Sequence, residues 1–162
     1  MKRSYREESA NEEVFRTFED LEVYKKARQF RKSMYSVTRK LPNFERYELA
    51  SQIRRASVSP TNNIAEGHGR FHYLEQLKFL FQSRGSLQEL IDDLNICEDE
   101  QYLPQPEVAA LKGQAKEVQR LISGYARYLR ERKFGSSSRV QEISDEEEFL
   151  SELDPLFNDS TI

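Results

Sequence analysis

The chain has 162 residues, a formal net charge of −3, 37% hydrophobic and 33% charged residues, and a single cysteine. That length holds one domain with room for a tail, and a lone Cys97 excludes an intrachain disulfide framework and fits a reducing compartment. No apolar run approaches 18 residues, MKRSYREESANEE lacks the apolar core of a secretory signal, and six Gly and five Pro are too few for many short strands, so a helical, cytoplasmic, non-membrane protein is expected.

The charge is unevenly placed. Residues 1–135 carry 24 Lys and Arg against 20 Asp and Glu, whereas residues 136–162 carry one against eight. A mildly basic body with an acidic tail describes the chain better than its net charge.

Residues 1–17 are polar apart from Val14 and Phe15 and read as a flexible arm. A first helix is expected from about Asp20 to Lys40, with Leu21, Tyr24, Ala27, Phe30 or Arg31, Met34, Val37 or Thr38 and Leu41 inward. Leu41-Pro42-Asn43 ends it, because the residue before a proline avoids the helical region. Between Lys25 and Arg46 stand eight cations (Lys25, Lys26, Arg28, Arg31, Lys32, Arg39, Lys40 and Arg46) and one acid, Glu45. They form either a solvated helix face or an anion-binding surface.

A second helix is expected from Phe44–Arg46 to Gly67-His68-Gly69, whose glycines suit a left-handed cap. Pro60 inside it lacks the N–H that would bond the Ala56 carbonyl and should kink it, with Ser57 or Ser59 serving the freed carbonyl. Ile53, Ala56 or Ser57, Pro60 and Ile64 make its apolar stripe. Gln52, Arg55, Ser59, Asn62 and Glu66 make an equally regular polar row, which is either buried against polar partners or in contact with something outside the chain. Arg54 and Arg55 point about 100° apart, so at least one reaches solvent, phosphate or a neighbouring subunit.

The third helix is expected from Phe71 to Asp99, along Leu74, Leu77, Leu80 or Phe81, Arg84, Leu87, Leu90 or Ile91, Leu94 and Cys97. Phe79 and Ile96 widen its apolar face beyond what one partner helix needs. Gly85-Ser86 in its middle suggests close approach by another backbone. After a turn at Gln101–Pro106, the fourth helix carries Val108, Leu111, Ala115, Val118, Ile122, Tyr125 and Leu129, a seam held for three heptads. It ends at Lys133–Gly135. The acidic segment 135–162 reads as disordered, although Phe149, Leu150, Leu153, Leu156 and Phe157 could dock as a short amphipathic helix. The fold class expected is all-α: an up-down-up-down antiparallel four-helix bundle over residues 18–134 with a flexible acidic C-terminal tail. Surplus apolar surface on the second and third helices suggests association with further copies of the chain.

The run Leu41-Pro42…Glu45-Arg46-Tyr47-Glu48-Leu49…Gln52-Ile53-Arg54-Arg55-Ala56…Ser59…Asn63-Ile64-Ala65-Glu66-Gly67 resembles a signature of the four-helix-bundle proteins encoded in intervening sequences of bacterial 23S rRNA genes. Phe79-Leu80…Gly85-Ser86-Leu87-Gln88-Glu89-Leu90 resembles the family's second signature, and Phe18-Glu19-Asp20-Leu21…Tyr24-Lys25-Lys26-Ala27 also fits. The similarity covers about residues 18–132, leaves out the tail, and departs at Arg84, where a small residue is more usual. It implies a bundle that assembles as a ring-like homopentamer. It also implies a distant relation to accessory proteins of diversity-generating retroelements, which bind a reverse transcriptase and nucleic acid.

Catalytic chemistry finds little support, and no cofactor or metal is expected. His68 and His72 are four apart, but glycines break the helix around His68, so surface turn histidines are the plainer reading. Cys97 sits at a core position with no activating base in view. Glu66 and Glu89 could pair as carboxylates, but Arg54, Arg55 and Arg84 offer them ion pairs. A pocket joining Glu66, Glu89 and His68 away from arginine would be the sign of an enzyme. Asn63, Glu66, Ser86 and Glu89 are better read as a structural polar motif that locks the second helix against the third through buried hydrogen bonds. The reading is therefore a non-catalytic, oligomeric module that binds RNA or DNA through Lys25, Lys26, Arg28, Arg31, Lys32, Arg39, Lys40, Arg54 and Arg55. The alternative is a protein-interaction scaffold, such as an accessory subunit of a reverse transcriptase or another ribonucleoprotein.

Overall fold

Thr17 opens the described part of the chain, residues 17–134 of a computed structural model. The rest of the expected arm and the acidic tail lie outside the described residues. Thr17 caps the short 3-10 turn Phe18–Asp20. The Glu19 N–H donates to Thr17 Oγ1 at 3.2 Å, and the Thr17 N–H donates to Asp20 Oδ2 at 3.1 Å, a reciprocal pairing that satisfies donors a helix start leaves orphaned.

Helix α1 spans Glu22–Lys40 and buries Val23, Ala27, Phe30, Met34 and Val37. Leu21 and Leu41 are buried at its two ends. Val23, not Tyr24, fills the first inward position. Leu21 has extended backbone (φ −64°, ψ 128°), so a helical period counted from it is out of phase, while the steps from Val23 run four, three, four, three. Tyr24 is half-buried and takes the edge of the Phe18 ring at 4.8 Å between centroids.

Helix α2 spans Leu49–His68, starting later than the sequence suggests. Asn43–Arg46 form a separate 3-10 turn, and the Glu45 carboxylate accepts the Leu49 N–H at 3.2 Å. The side chain occupies the amide that would otherwise continue the turn into the helix. The helix runs through the buried Pro60 as one element. Ser57 donates to the Ile53 carbonyl and Ser59 pairs with side chains, so their hydrogen bonds go to groups other than the Ala56 carbonyl.

Helices α3 (Tyr73–Asp99) and α4 (Gln105–Phe134) complete the described chain. In α3 the buried stripe is Leu77, Leu80, Ser83, Leu87, Leu90, Asp93, Leu94 and Cys97. Ser83 takes the position expected of Arg84, which is half-buried. Leu74 is half-buried too, and Phe71 lies before the helix, 99% exposed. In α4 the seam Val108, Leu111, Ala115, Val118 and Ile122 is buried as its period requires, joined by Ala126; Tyr125 and Leu129 are half-buried at its end.

The connections 41–48, 69–72 and 100–104 are short, so consecutive helices fold back on one another. Helix α1 packs on α2 and α4, and α3 packs on the same two. Cross-links confirm the directions: Gln52 meets Asp93 and Ser59 meets Ser86, while Lys26 meets Glu117 and Lys40 meets Glu107. Rising numbers on one helix face falling numbers on its neighbour. The described fold is the up-down-up-down antiparallel bundle.

The glycines do other work than expected. Gly69 is in the ordinary right-handed region at φ −78°. The left-handed cap belongs instead to Gln101 (φ 59°) at the end of α3, where the Tyr102 N–H reaches the Cys97 carbonyl at 2.8 Å and the Gln101 N–H the Glu98 carbonyl at 3.0 Å, the Schellman pattern. Close approach occurs at Gly67, where a Cβ would lie 3.1 Å from Phe79 Cβ and 3.2 Å from the Gln76 carbonyl oxygen. Gly85, expected to admit a backbone, has no atom within 4 Å of such a Cβ.

Gly85→Ala should therefore raise stability by roughly 0.5–1 kcal/mol, because it removes a helix-interior glycine without a clash. Gly67→Ala should lower it, by about 1–3 kcal/mol, because the backbone carbonyl of α3 cannot yield. Urea midpoints of the two variants against wild type decide both. Gln101→Gly, which relieves a left-handed side chain, should raise the midpoint as well, by the equivalent of about 1 kcal/mol.

Candidate nucleic-acid interface

The polar row of α2 divides. Gln52 Nε2 donates to Asp93 Oδ1 at 2.6 Å, and Ser83 Oγ donates to the Pro60 carbonyl at 3.0 Å. Ser59 Oγ accepts from Ser86 Oγ at 2.7 Å and from Asn63 Nδ2 at 3.0 Å. These groups form a polar seam between α2 and α3. Arg55, Asn62 and Glu66 are exposed.

Asn63 and Ser86 thus sit in the seam, but Glu66 and Glu89 do not. Both carboxylates are exposed. Gly67 holds the contact position at that level, which turns Glu66 about 100° away, and it pairs with Arg70, not with Arg54, Arg55 or Arg84. Glu89 stands on α3 at the level of Ala56, given the pairs Gln52–Asp93 and Ser59–Ser86, and alanine offers no donor. The missed member is Asp93, which is 1% exposed. Its Oδ2 has no partner among the described residues. Burial pushes the Asp93 carboxyl up to about 6; the Gln52 hydrogen bond holds it down, and Glu89 and then Asp92 raise it further.

The nine expected cations also divide. Lys26 pairs with Glu117 at 3.1 Å and Lys40 with Glu107, both on α4. Arg31 Nη1 donates to Thr61 Oγ1 on α2 at 2.7 Å. Arg54 Nη2 donates to the Arg46 carbonyl at 2.9 Å, and Arg55 Nη1 to Ser51 Oγ at 3.1 Å. Arg55 is exposed and Arg54 half-buried. Lys25, Arg28, Lys32 and Arg39 remain. All four are exposed and none makes an ion pair among the described residues. Their spacing of three, four and seven residues keeps them on one face of α1, spread over about 21 Å of helix at the α-helical rise.

Beyond Arg39 lies the α1–α2 turn. Glu45 is its hub: Oε2 accepts the Leu49 N–H, and Oε1 accepts the Tyr102 hydroxyl at 2.9 Å. The turn presents Phe44, 71% exposed, and Tyr47, 77% exposed, with the Arg46 guanidinium 5.4 Å from the Tyr47 ring centre. The sequence placed these residues in the first turn of a helix, where nothing distinguishes them from a buried staple.

Other chemistry is thinner. A cleft of about 910 Å³ opens at the end of the bundle where α4 finishes beside the start of α1. It takes in His68 and Tyr125 but neither Glu66 nor Glu89, and Arg120 and Arg132 line it. His68 Nδ1 stands 3.4 Å from the Tyr125 hydroxyl. Cys97 is buried, and burial, then Asp93 and Glu45, push its thiol up to about 11, the opposite of what a nucleophile needs. Among the described residues no group of three or more His, Cys, Asp or Glu could hold a metal ion, and no helix is long and apolar enough to cross a membrane.

Compared with known families, the chain matches the model described as 23S rRNA-intervening sequence protein over residues 19–124. The matched region takes in the α1 cation row, the α2–α3 seam and all three inter-helix turns. No curated protein matches the chain.

Because Asp93 binds a proton more tightly in the fold than in the unfolded chain, stability should fall as pH rises from about 4 to about 6. Asp93→Asn keeps an acceptor for Gln52 and carries no charge. The difference in urea stability between this variant and wild type should grow in the variant's favour across that window and then level off; parallel pH profiles would contradict the assignment.

Proposed function

The chain belongs to the 23S rRNA-intervening sequence protein family, and from that premise we propose that it is a non-catalytic module that associates with RNA through its basic surface in an assembly of several identical chains. The observation that carries this reading is the row Lys25, Arg28, Lys32 and Arg39. Elsewhere on α1 the fold supplies partners: Glu117 and Glu107 for two lysines and Thr61 for Arg31. The row has no such partner among the described residues, so its charge is available to an external anion.

Phosphates are the natural complement. Each lysine or arginine that neutralises one releases condensed counterions, which makes such binding tolerant of sequence and steeply dependent on salt. One copy of the row is a weak ligand. Several copies in one particle raise the effective concentration of each after the first contact. A homopentamer is the assembly that the family resemblance implies, and Phe71, 99% exposed, with the partly exposed Ile96 and Tyr128 offers apolar surface for contacts between copies.

Filter binding of labelled RNA across a salt series tests the reading. Replacing Lys25, Arg28, Lys32 and Arg39 by Gln should weaken retention and reduce the slope of log affinity against log salt by about 3, at roughly 0.7–0.9 for each phosphate that is no longer neutralised. Replacing the paired Lys26 and Lys40 should change the slope less. No retention of RNA at low salt overturns the association, and a particle with the mass of one chain in light scattering overturns the assembly.

A further inference from the structure

Two aromatic rings project from the α1–α2 turn, where Phe44 meets the Tyr102 ring edge to face at 6.3 Å between centroids and Tyr47 carries the Arg46 guanidinium. Phe44 lies within the 3-10 turn Asn43–Arg46, and Tyr47 is the residue that closes it. Aromatic side chains contribute most when buried, yet both rings are more than 70% exposed. The turn is nevertheless well tied. Glu45 accepts from the Leu49 amide and the Tyr102 hydroxyl, the Glu45 N–H reaches the Pro42 carbonyl at 3.0 Å, and Arg54 holds the Arg46 carbonyl. The rings are presented by a fixed backbone, so little ordering cost falls on a ligand.

The surrounding charge selects the ligand. Residues 39–55 contain five cations and two acids, Glu45 and Glu48. Both oxygens of Glu45 are already in use. Arg46 lies over Tyr47, and the outward α1 row ends at Arg39, five residues before Phe44. Exposed rings beside cations suit a polymer that carries flat faces and phosphates together. In a duplex those faces are stacked on one another and out of reach; in a single strand they are available.

We propose that the α1–α2 turn is a stacking platform for single-stranded RNA, with bases on Phe44 and Tyr47 and phosphates on Arg46 and the α1 row. The platform rests on the RNA association argued above and adds to it the form of the strand and the point of base contact. Glu45 is a positioning residue that holds the turn to α2 and to Tyr102.

The test is fluorescence anisotropy of the full chain with labelled oligouridine and with an RNA duplex of the same length. The double variant Phe44→Ala/Tyr47→Ala should bind oligouridine at least tenfold more weakly, since one base stack is worth about that factor or more. Its salt slope should stay unchanged, because every cation remains. Duplex binding should change far less, and Phe44→Tyr/Tyr47→Phe, which keeps both rings, should bind as wild type does. If wild type binds neither RNA, the association fails and the platform with it. If wild type binds and the double variant binds equally well, or loses both RNAs alike, the platform alone is overturned. If the double variant keeps its oligouridine affinity but its particle mass falls, the turn is a contact between copies, which also overturns the platform.

Discussion

Polar groups between two packed helices are tolerable only when each finds a partner at its own level, and this condition sets α2 against α3. Gln52 meets Asp93, Ser59 meets Ser86 with Asn63 beside it, and Ser83 reaches the carbonyl of Pro60. An apolar seam can slide by a turn and still bury its area. Here a slide would strand several donors and acceptors, each at about 1–3 kcal/mol when buried and unpaired. Gly67 closes the far end of the same contact, because Phe79 and the Gln76 carbonyl leave no room for a side chain. Register is therefore specified by chemistry as well as by shape. Asp93 is the point of incomplete satisfaction. One carboxylate oxygen lacks a partner among the described residues, and the high proton affinity of the group follows from that burial.

The register has a consequence at the surface. Once α2 lies on α3, α4 closes the bundle and its acids fall opposite α1. Glu117 and Glu107 pair with Lys26 and Lys40, and these partly exposed pairs contribute little to stability. What they do is divide a dense set of cations into those turned toward α4 and those turned outward. Lys25, Arg28, Lys32 and Arg39 are the outward set. A ligand meets a defined row instead of a diffuse positive cloud.

Glu45 joins the two themes. As the only acid between Lys25 and Arg46, it looks from its position like a small correction to the charge. In the fold its carboxylate caps α2 and ties the turn to Tyr102 beyond α3. That double role explains why α2 begins at Leu49 and why Phe44 and Tyr47 are left outside the core. One side chain thus separates a buried helix from an exposed, well-ordered turn.

Periodicity alone determined the helical class, the number of helices, the order of the bundle and most of its core, because a stripe such as Val108 to Ile122 buries the same side chains whichever neighbour covers it. It failed where a local event interrupts the period: extended backbone at Leu21, a carboxylate cap at Glu45, a left-handed Gln101. Glycine was legible as a special position but not as a role. Gly67 and Gly85 look equivalent along the chain, and only the packing of α3 shows that one is filled and the other open. The same holds for the candidate interface. The sequence could name nine cations, but a cation's availability depends on what stands across from it. That is a property of pairs of residues on different helices, and it exists only once the helices are packed.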